Sequence, residues 1–306
     1  MNRLLKVRTL APAKVNWTLE VLGRRSDGYH EIRTVLQTIG LCDRITVSPA
    51  AELDLVVRSP TGEPVPALAD VPLSENLAFR AAALLRDRAH GELPGARIEL
   101  EKAIPVGAGL GGGSSDAAAA LRALDRLWGL HLPADELARL GAQLGADVPF
   151  FLCGGTALGL GRGDEVSPLP DAPLQRLLLV VPRRSVAGKT AAMYARLRVE
   201  HFGSGEASER LAGAIKEGFI PRDDDISNTF ETVVAGELRD AAAAAERCRA
   251  LGLRPHLAGS GPAQFVLLQA GTETAALREV LAAAGLDVFE VKTMAASAAT
   301  AVVVEP

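Results

Sequence analysis

Charge of one sign is what this chain conspicuously lacks. Its 33 lysines and arginines stand against 37 aspartates and glutamates, a net charge of −4. The densest like-charged stretch is the acidic part of "RDDD" at 222–225, which reads as a solvated loop. Nothing resembles the basic footprint of a nucleic-acid binder. Cysteine is scarce too. Cys42, Cys153 and Cys248 lie far apart, form no CxxC pair and are odd in number, which argues against a disulfide framework, and a reducing, cytoplasmic setting is expected. His90, His131, His201 and His256 show no metal-ligand spacing. Long apolar runs are missing as well. None approaches the ~20 residues that cross a bilayer, and "MNRLLKVRTLAPAK" holds no apolar core of signal-peptide length. No membrane partner is expected.

What is present is an ordinary globular composition, 48% hydrophobic and 23% charged. At about 150 residues per domain, 306 residues suggest two domains. "VNWTLEVLG" (15–23) alternates with the period of a strand, and "RITVSP" and "LDLVVRS" do so more loosely. "PTGEPVPALADVP" (60–72) is loop. A helix opens with Ser74 as cap and closes at Gly91; "ARIELEKAIP" is the strand that follows. Two more helices run from about Ser115 to Trp128, stopping at Gly129, and from Pro133, as first helical residue, to Gly145. "SPLPDAP" (167–173) is the linker candidate. Beyond it come a buried strand, "LQRLLLVVP", helices at 189–198 and 228–250, two strands around a turn in "PHLAGSGPAQFVLLQA", a helix at 272–284 and the strand "VFEVKTMAA". A small antiparallel sheet with helices on one face accommodates this half, so the class is α+β.

The densest pattern is "IPVGAGLGGGSSDAAAALRALDRLWG" (104–129), where strand, glycine loop and helix follow one another. A helix N-terminus carries unpaired N–H groups and about half a positive charge. Glycines before it let the backbone close around a bulky anion, and Ser114 and Ser115 add hydroxyls. This predicts a phosphate cradle. It is not a Walker A loop. "GKT" occurs at Gly188–Thr190, but Arg183 stands where that pattern needs glycine. Nor does it fit a dinucleotide fingerprint, which needs an acidic ribose partner some 20 residues on.

"PAKVN" (12–16), "GLGGGSSDAAA" (109–119), "GADVPFF" (145–151) and "AGSGPAQF" (258–265), in this order, resemble the motifs of the GHMP kinase superfamily of small-molecule kinases. "APAKVNWTLEVLGRRSDGYHEIRTVLQTI" (11–39), "SENLAFRAA" and "SNTFE" (227–231) narrow the resemblance to the branch that phosphorylates a cytidine-diphosphate sugar alcohol on the non-mevalonate route to isoprenoid precursors. The resemblance implies an N-terminal domain like the second domain of ribosomal protein S5 (1–168), a ferredoxin-like C-terminal domain (169–306), a site in the cleft between them, and ATP with Mg2+ as cofactors.

It also implies residue roles. Taken alone, Lys14 is a strand-end lysine and Asp147 a turn aspartate; the resemblance makes Asp147 the general base toward the substrate hydroxyl and Lys14 its cationic neighbour. Asn16, two residues on from Lys14, shares its strand face and so reaches the same substrate. Aromatic and imidazole rings suit a nucleobase; the resemblance assigns Tyr29 and His30 to cytosine, Thr190 to substrate contact and Tyr194, the second of the chain's two tyrosines, to closure over the base. The nucleotide falls to Pro105, Gly107, Gly109, Leu110, Gly111, Gly112, Gly113, Ser114 and Ser115, with Asn76 either near the adenine or simply a helix cap. Ser115 is the nearest candidate for a Mg2+ ligand. Gly259 and Gly261 shape a turn. Two alternatives remain open: a GHMP kinase for another alcohol, such as homoserine or mevalonate, and a nucleotide-binding module without turnover.

Overall fold

A computed structural model describes residues 5–89, 93–183 and 189–305. The chain opens with two long strands, β1 (Lys6–Arg24) and β2 (His30–Ala50), then β3 (Asp54–Arg58), α1 (Leu77–Arg88) and β4 (Gly95–Glu101). Three helices follow, α2 (Gly112–Trp128), α3 (Ala134–Leu144) and α4 (Val148–Cys153), and a hairpin of β5 (Thr156–Leu160) and β6 (Glu165–Leu169). The second half holds β7 (Arg176–Pro182), α5 (Lys189–Arg196), α6 (Glu206–Lys216), β8 (Ser227–Asn228), α7 (Val234–Glu237) and α8 (Arg239–Ala250). It ends with β9 (His256–Leu257), β10 (Gln264–Leu268), α9 (Ala275–Ala283), β11 (Leu286–Lys292), α10 (Ala296–Ala299) and β12 (Val302–Glu305).

The strands form two sheets. The larger runs β12-β1-β2-β4-β3, with the β5–β6 hairpin joined to β2 and β8 lying parallel to β1. The smaller, β11-β7-β10-β9, is antiparallel as expected. One core lies between the larger sheet and α1, α2 and α4, built on Ile45, Leu85, Leu121, Phe150 and Phe151. In α2 the run Ala117–Ala120 is wholly buried. Alanine keeps that helix slim, so strand and helix axes come close behind the glycine loop. A second core joins the sheets, with Leu177, Leu179 and Phe265 against Trp17 and Val35. The opposite face of the small sheet carries Leu178 and Val180 against Cys248 of α8 and Leu281 of α9. Burial on both faces is why β7 reads as an unbroken apolar run.

Several expectations need correction. Asn76, not Ser74, caps α1: its Oδ1 accepts from Ala78 N at 2.9 Å, while Ser74 sits in the preceding 3-10 turn. Gly91 lies outside the described residues, as does Gly188 of the "GKT" stretch. α2 begins at Gly112, three residues early, since the Ser115 N–H already closes a helical turn onto Gly111 O at 2.9 Å. Pro133 is the cap of α3 and not its first residue. Ser167 and Pro168 belong to strand β6 instead of a linker. The helix at 228–250 is broken around Val233 and Leu238. α6 and β12 carry no clear signal in the sequence; β12 brings residues 302–305 back beside β1. Among the described residues no helix is long and apolar enough to cross a membrane.

Candidate active site

The glycine loop leaves β4 and enters α2 through three left-handed residues, Gly107, Gly109 and Gly111, at φ +72°, +82° and +76°. Only glycine takes such angles without strain. No side chain caps α2, so the N–H groups of its first turn point into open space. That space is a cleft of ≈ 330 Å³, walled by Pro105–Ser114 on one side and by Leu68, Val71, Glu75 and Asn76 on the other. Asn76 thus both caps α1 and lines the cleft.

Three distant motifs are stitched together behind this loop. Lys14 N donates to Leu110 O at 3.0 Å, Asn16 N to Ala258 O at 3.2 Å and Ala263 N to Ala108 O at 3.0 Å. A Cβ on Gly111 would lie 2.7 Å from the ring of Phe151, and one on Gly109 would run into the carbonyl of Gly261. The glycines at 109 and 259 therefore serve close backbone approach, and those at 111 and 261 leave room for neighbouring side chains.

Lys14 is 5% exposed and gives its ammonium to Asn16 Oδ1 at 2.7 Å. Asn16 in turn donates to Thr34 Oγ1 at 2.7 Å, which donates to Thr18 O at 2.6 Å. The shared strand face predicted for Lys14 and Asn16 is thus observed as a hydrogen bond. Burial lowers the pKa of Lys14, and the charge of Asp147 opposes that shift without cancelling it. Asp147 occupies the cap position of α4, but its side chain caps nothing. Its carboxylate is left available, half-buried, while Phe150 and Phe151 anchor the helix behind it.

A cluster of rings borders the same aspartate. His30 stacks on Tyr194, with centroids 4.8 Å apart and planes 28° apart, and Phe230 meets the edge of Tyr194. Burial raises the Tyr194 pKa, and the charge of Asp147 raises it further. Burial, then Arg24, lowers that of His30. Thr190 Oγ1 lies 2.9 Å from Ser260 Oγ, which fastens α5 to the second glycine turn. Tyr29 is not part of this cluster. It is 57% exposed, with the Arg162 guanidinium over its ring at 5.0 Å.

Residues 76–155 match the model of the GHMP kinases N terminal domain. The chain is 41% identical over 262 residues to 4-diphosphocytidyl-2-C-methyl-D-erythritol kinase of Dehalococcoides mccartyi, covering 85% of this chain and 88% of that one. It is 45% identical over 263 residues to the protein of the same name from Moorella thermoacetica, covering 83% and 87%. The chain belongs to the 4-diphosphocytidyl-2-C-methyl-D-erythritol kinase family. A crystal structure of 4-(cytidine 5'-diphospho)-2C-methyl-D-erythritol kinase superposes with a TM-score of 0.73 at 37% identity, covering 94% of this chain and 98% of that one. Homoserine kinase from Cytophaga hutchinsonii, at 17% identity and a TM-score of 0.66, shares the fold alone.

As a member of the 4-diphosphocytidyl-2-C-methyl-D-erythritol kinase family, the chain is an ATP-dependent small-molecule kinase with the GHMP kinase fold. The other-alcohol and non-catalytic alternatives are not favoured. A cation that arrives with ATP needs few protein ligands, because Mg2+ keeps waters and takes phosphate oxygens. Among the described residues no three His, Cys, Asp or Glu side chains gather as a metal site. Ser115 Oγ, at the start of α2, has no hydrogen-bond partner and is the hydroxyl there free to take a cation, but Ser115 is wholly buried, behind the residues that line the cleft.

Two groups near the site escaped the sequence reading. Arg122 is buried, its pKa pulled down to about 10, and it donates to Phe151 O at 2.6 Å and Leu10 O at 3.1 Å, so it ties α4 to β1. Lys102 lies between Asp43 and Asp116 at the mouth of the glycine loop. Asp116 stood in the quoted glycine motif, but partners 14 and 59 residues from Lys102 leave no local pattern.

Proposed function

We propose that this chain transfers the γ-phosphoryl group of ATP to the 2-hydroxyl of 4-diphosphocytidyl-2-C-methyl-D-erythritol, within the non-mevalonate route and in the cytoplasm. The observation that carries the reading is Asp147: its charge reaches both Lys14 and Tyr194, and Gly145, two residues before it, packs against the first turn of α2, where an added Cβ would lie 3.5 Å from Ser114 Oγ.

In this reading the glycine loop between Pro105 and Ser115 holds the triphosphate on its backbone N–H groups, those of the first turn of α2 above all, and Asn76 lies toward the base. Mg2+ bound with ATP would supply charge neutralisation, and Ser115 Oγ would be the protein ligand that holds it. Phosphoryl transfer asks a protein mainly for positioning and charge stabilisation. Asp147 accepts the proton of the tertiary hydroxyl as the O–P bond forms, and the β–γ bridge oxygen leaves with ADP. The Lys14 ammonium, fixed by Asn16, steadies the developing alkoxide. His30 and Tyr194 present a stacked face to cytosine, Tyr29 covers it from the rim, and Thr190 orients the diphosphate arm. Residues 1–168 then form the nucleotide half and 169–306 the half that completes the substrate recess.

The test is ADP release from ATP and Mg2+ with the cytidyl compound, run beside mevalonate and homoserine. Turnover selective for the cytidyl compound supports the proposal. Turnover of a control instead would move the acceptor specificity elsewhere and remove the roles given to Tyr29 and His30.

A further inference from the structure

The glycine loop carries three left-handed glycines, and glycine gives up more backbone freedom on ordering than any other residue. Something outside the glycines has to hold its shape. Lys102, 8% exposed, leaves β4 and enters the loop with its ammonium between two carboxylates, 2.5 Å from Asp43 Oδ2 and 2.8 Å from Asp116 Oδ2. Asp43 on β2 is wholly buried, and its other oxygen accepts the N–H groups of Ala103 at 2.6 Å and Ile104 at 2.8 Å. The bonds therefore fasten both ends of the loop, residues 102–104 before the glycines and Asp116 after them.

This arrangement is costly for mere stability. Three buried charges sum to one negative charge if both carboxylates are ionised, and Asp116 Oδ1 has no partner. Apolar residues of similar volume often serve a core as well or better. The ammonium also lies directly under the first residue of α2: a Cβ on Gly112 would stand 3.2 Å from Lys102 Nζ.

We propose that Asp43 is a positioning residue of the kinase. It acts through Lys102 and the two loop-entry N–H groups to hold the glycine loop and the start of α2 in the shape that receives ATP. The inference rests on the reading of that loop as the nucleotide site. Asp43 itself touches neither substrate; the chain of contacts runs from β2 to loop entry to helix start.

Asp43→Asn keeps an acceptor for Ala103 and Ile104 but removes the counter-charge of Lys102. KM for ATP should rise about tenfold, the scale on which neighbours in one buried network couple, while KM for the cytidyl alcohol stays within about twofold. In the double variant Asp43→Asn/Lys102→Met, KM for ATP should match that of Lys102→Met alone, because Asp43 acts through the lysine. Equal rises in both KM values, or effects that add, would overturn the proposal. Hydrogen exchange on the unvaried protein gives a reading that needs no variant to fold. The Ala103 and Ile104 amides should be protected equally with and without nucleotide. Protection that appears only with ATP would mean that the ligand shapes the loop, and the proposal would fall. Wild-type protein inactive with ATP would instead defeat the functional reading itself.

Discussion

Gly259 leaves no room for a side chain beside Lys14: a Cβ there would lie 2.7 Å from Lys14 Nζ and 2.8 Å from the carbonyl oxygen of Gly109. The second glycine turn is thus the floor on which the buried lysine rests. Gly259→Ala should leave the protein folded but displace that ammonium or the glycine loop. A fall in kcat of at least tenfold with an unchanged circular dichroism spectrum is the expected result. Unchanged kcat would show that Lys14 needs no such floor.

Asp147→Asn removes the proposed proton acceptor and keeps the side-chain shape. General-base assistance is worth about 10²–10⁴ in rate, so kcat should fall by that order. ATP affinity, measured by calorimetry, should change little, since the loop and α2 are untouched. A variant that retains most of its activity would take the base role away from Asp147.

The pH dependence follows from Lys14. Burial holds its pKa below the ordinary lysine value, and only its protonated form stabilises an alkoxide. Activity should therefore decline on the alkaline side before an ordinary lysine would titrate, and Lys14→Arg should shift that decline to higher pH in whatever activity remains. The stability sign is the reverse. Between the depressed folded pKa and the ordinary value the unfolded chain binds more protons, so this group adds stability as pH rises through that window. A profile unaffected by Lys14→Arg would assign the alkaline limb to another group.

Tyr29 and Tyr194 should separate by their surroundings. Tyr29→Ala removes an exposed ring, so thermal stability should barely change while KM for the cytidyl substrate rises far more than KM for ATP. Tyr194→Ala empties a site between His30 and Phe230 and should lower the melting temperature as well. If Tyr29→Ala raises both KM values alike, its ring belongs to the scaffold.

The sequence alone determined where the glycine loop and the helix behind it lie. Glycine density before an alanine helix reports a backbone conformation and a slim helix, both local properties, so the loop at 105–115 and the helix behind it were legible. Strand period likewise put Lys14 and Asn16 on one face, and the family motifs marked Asp147, His30 and Tyr194. Local pattern also misled where neighbours decided the outcome. Ser74 and Asn76 are both good caps, and only the packing of α1 selects the second. Tyr29 and His30 are adjacent in sequence, yet the chain turn sends one to the rim under Arg162 and the other onto Tyr194. Tertiary structure alone decided the rest. The triad of Asp43, Lys102 and Asp116, the hold of Arg122 on α4 and the close packing of Gly259 beside Lys14 join residues far apart in the chain. Charges and backbones meet there because two sheets pack together, and no periodicity records a contact made across that distance.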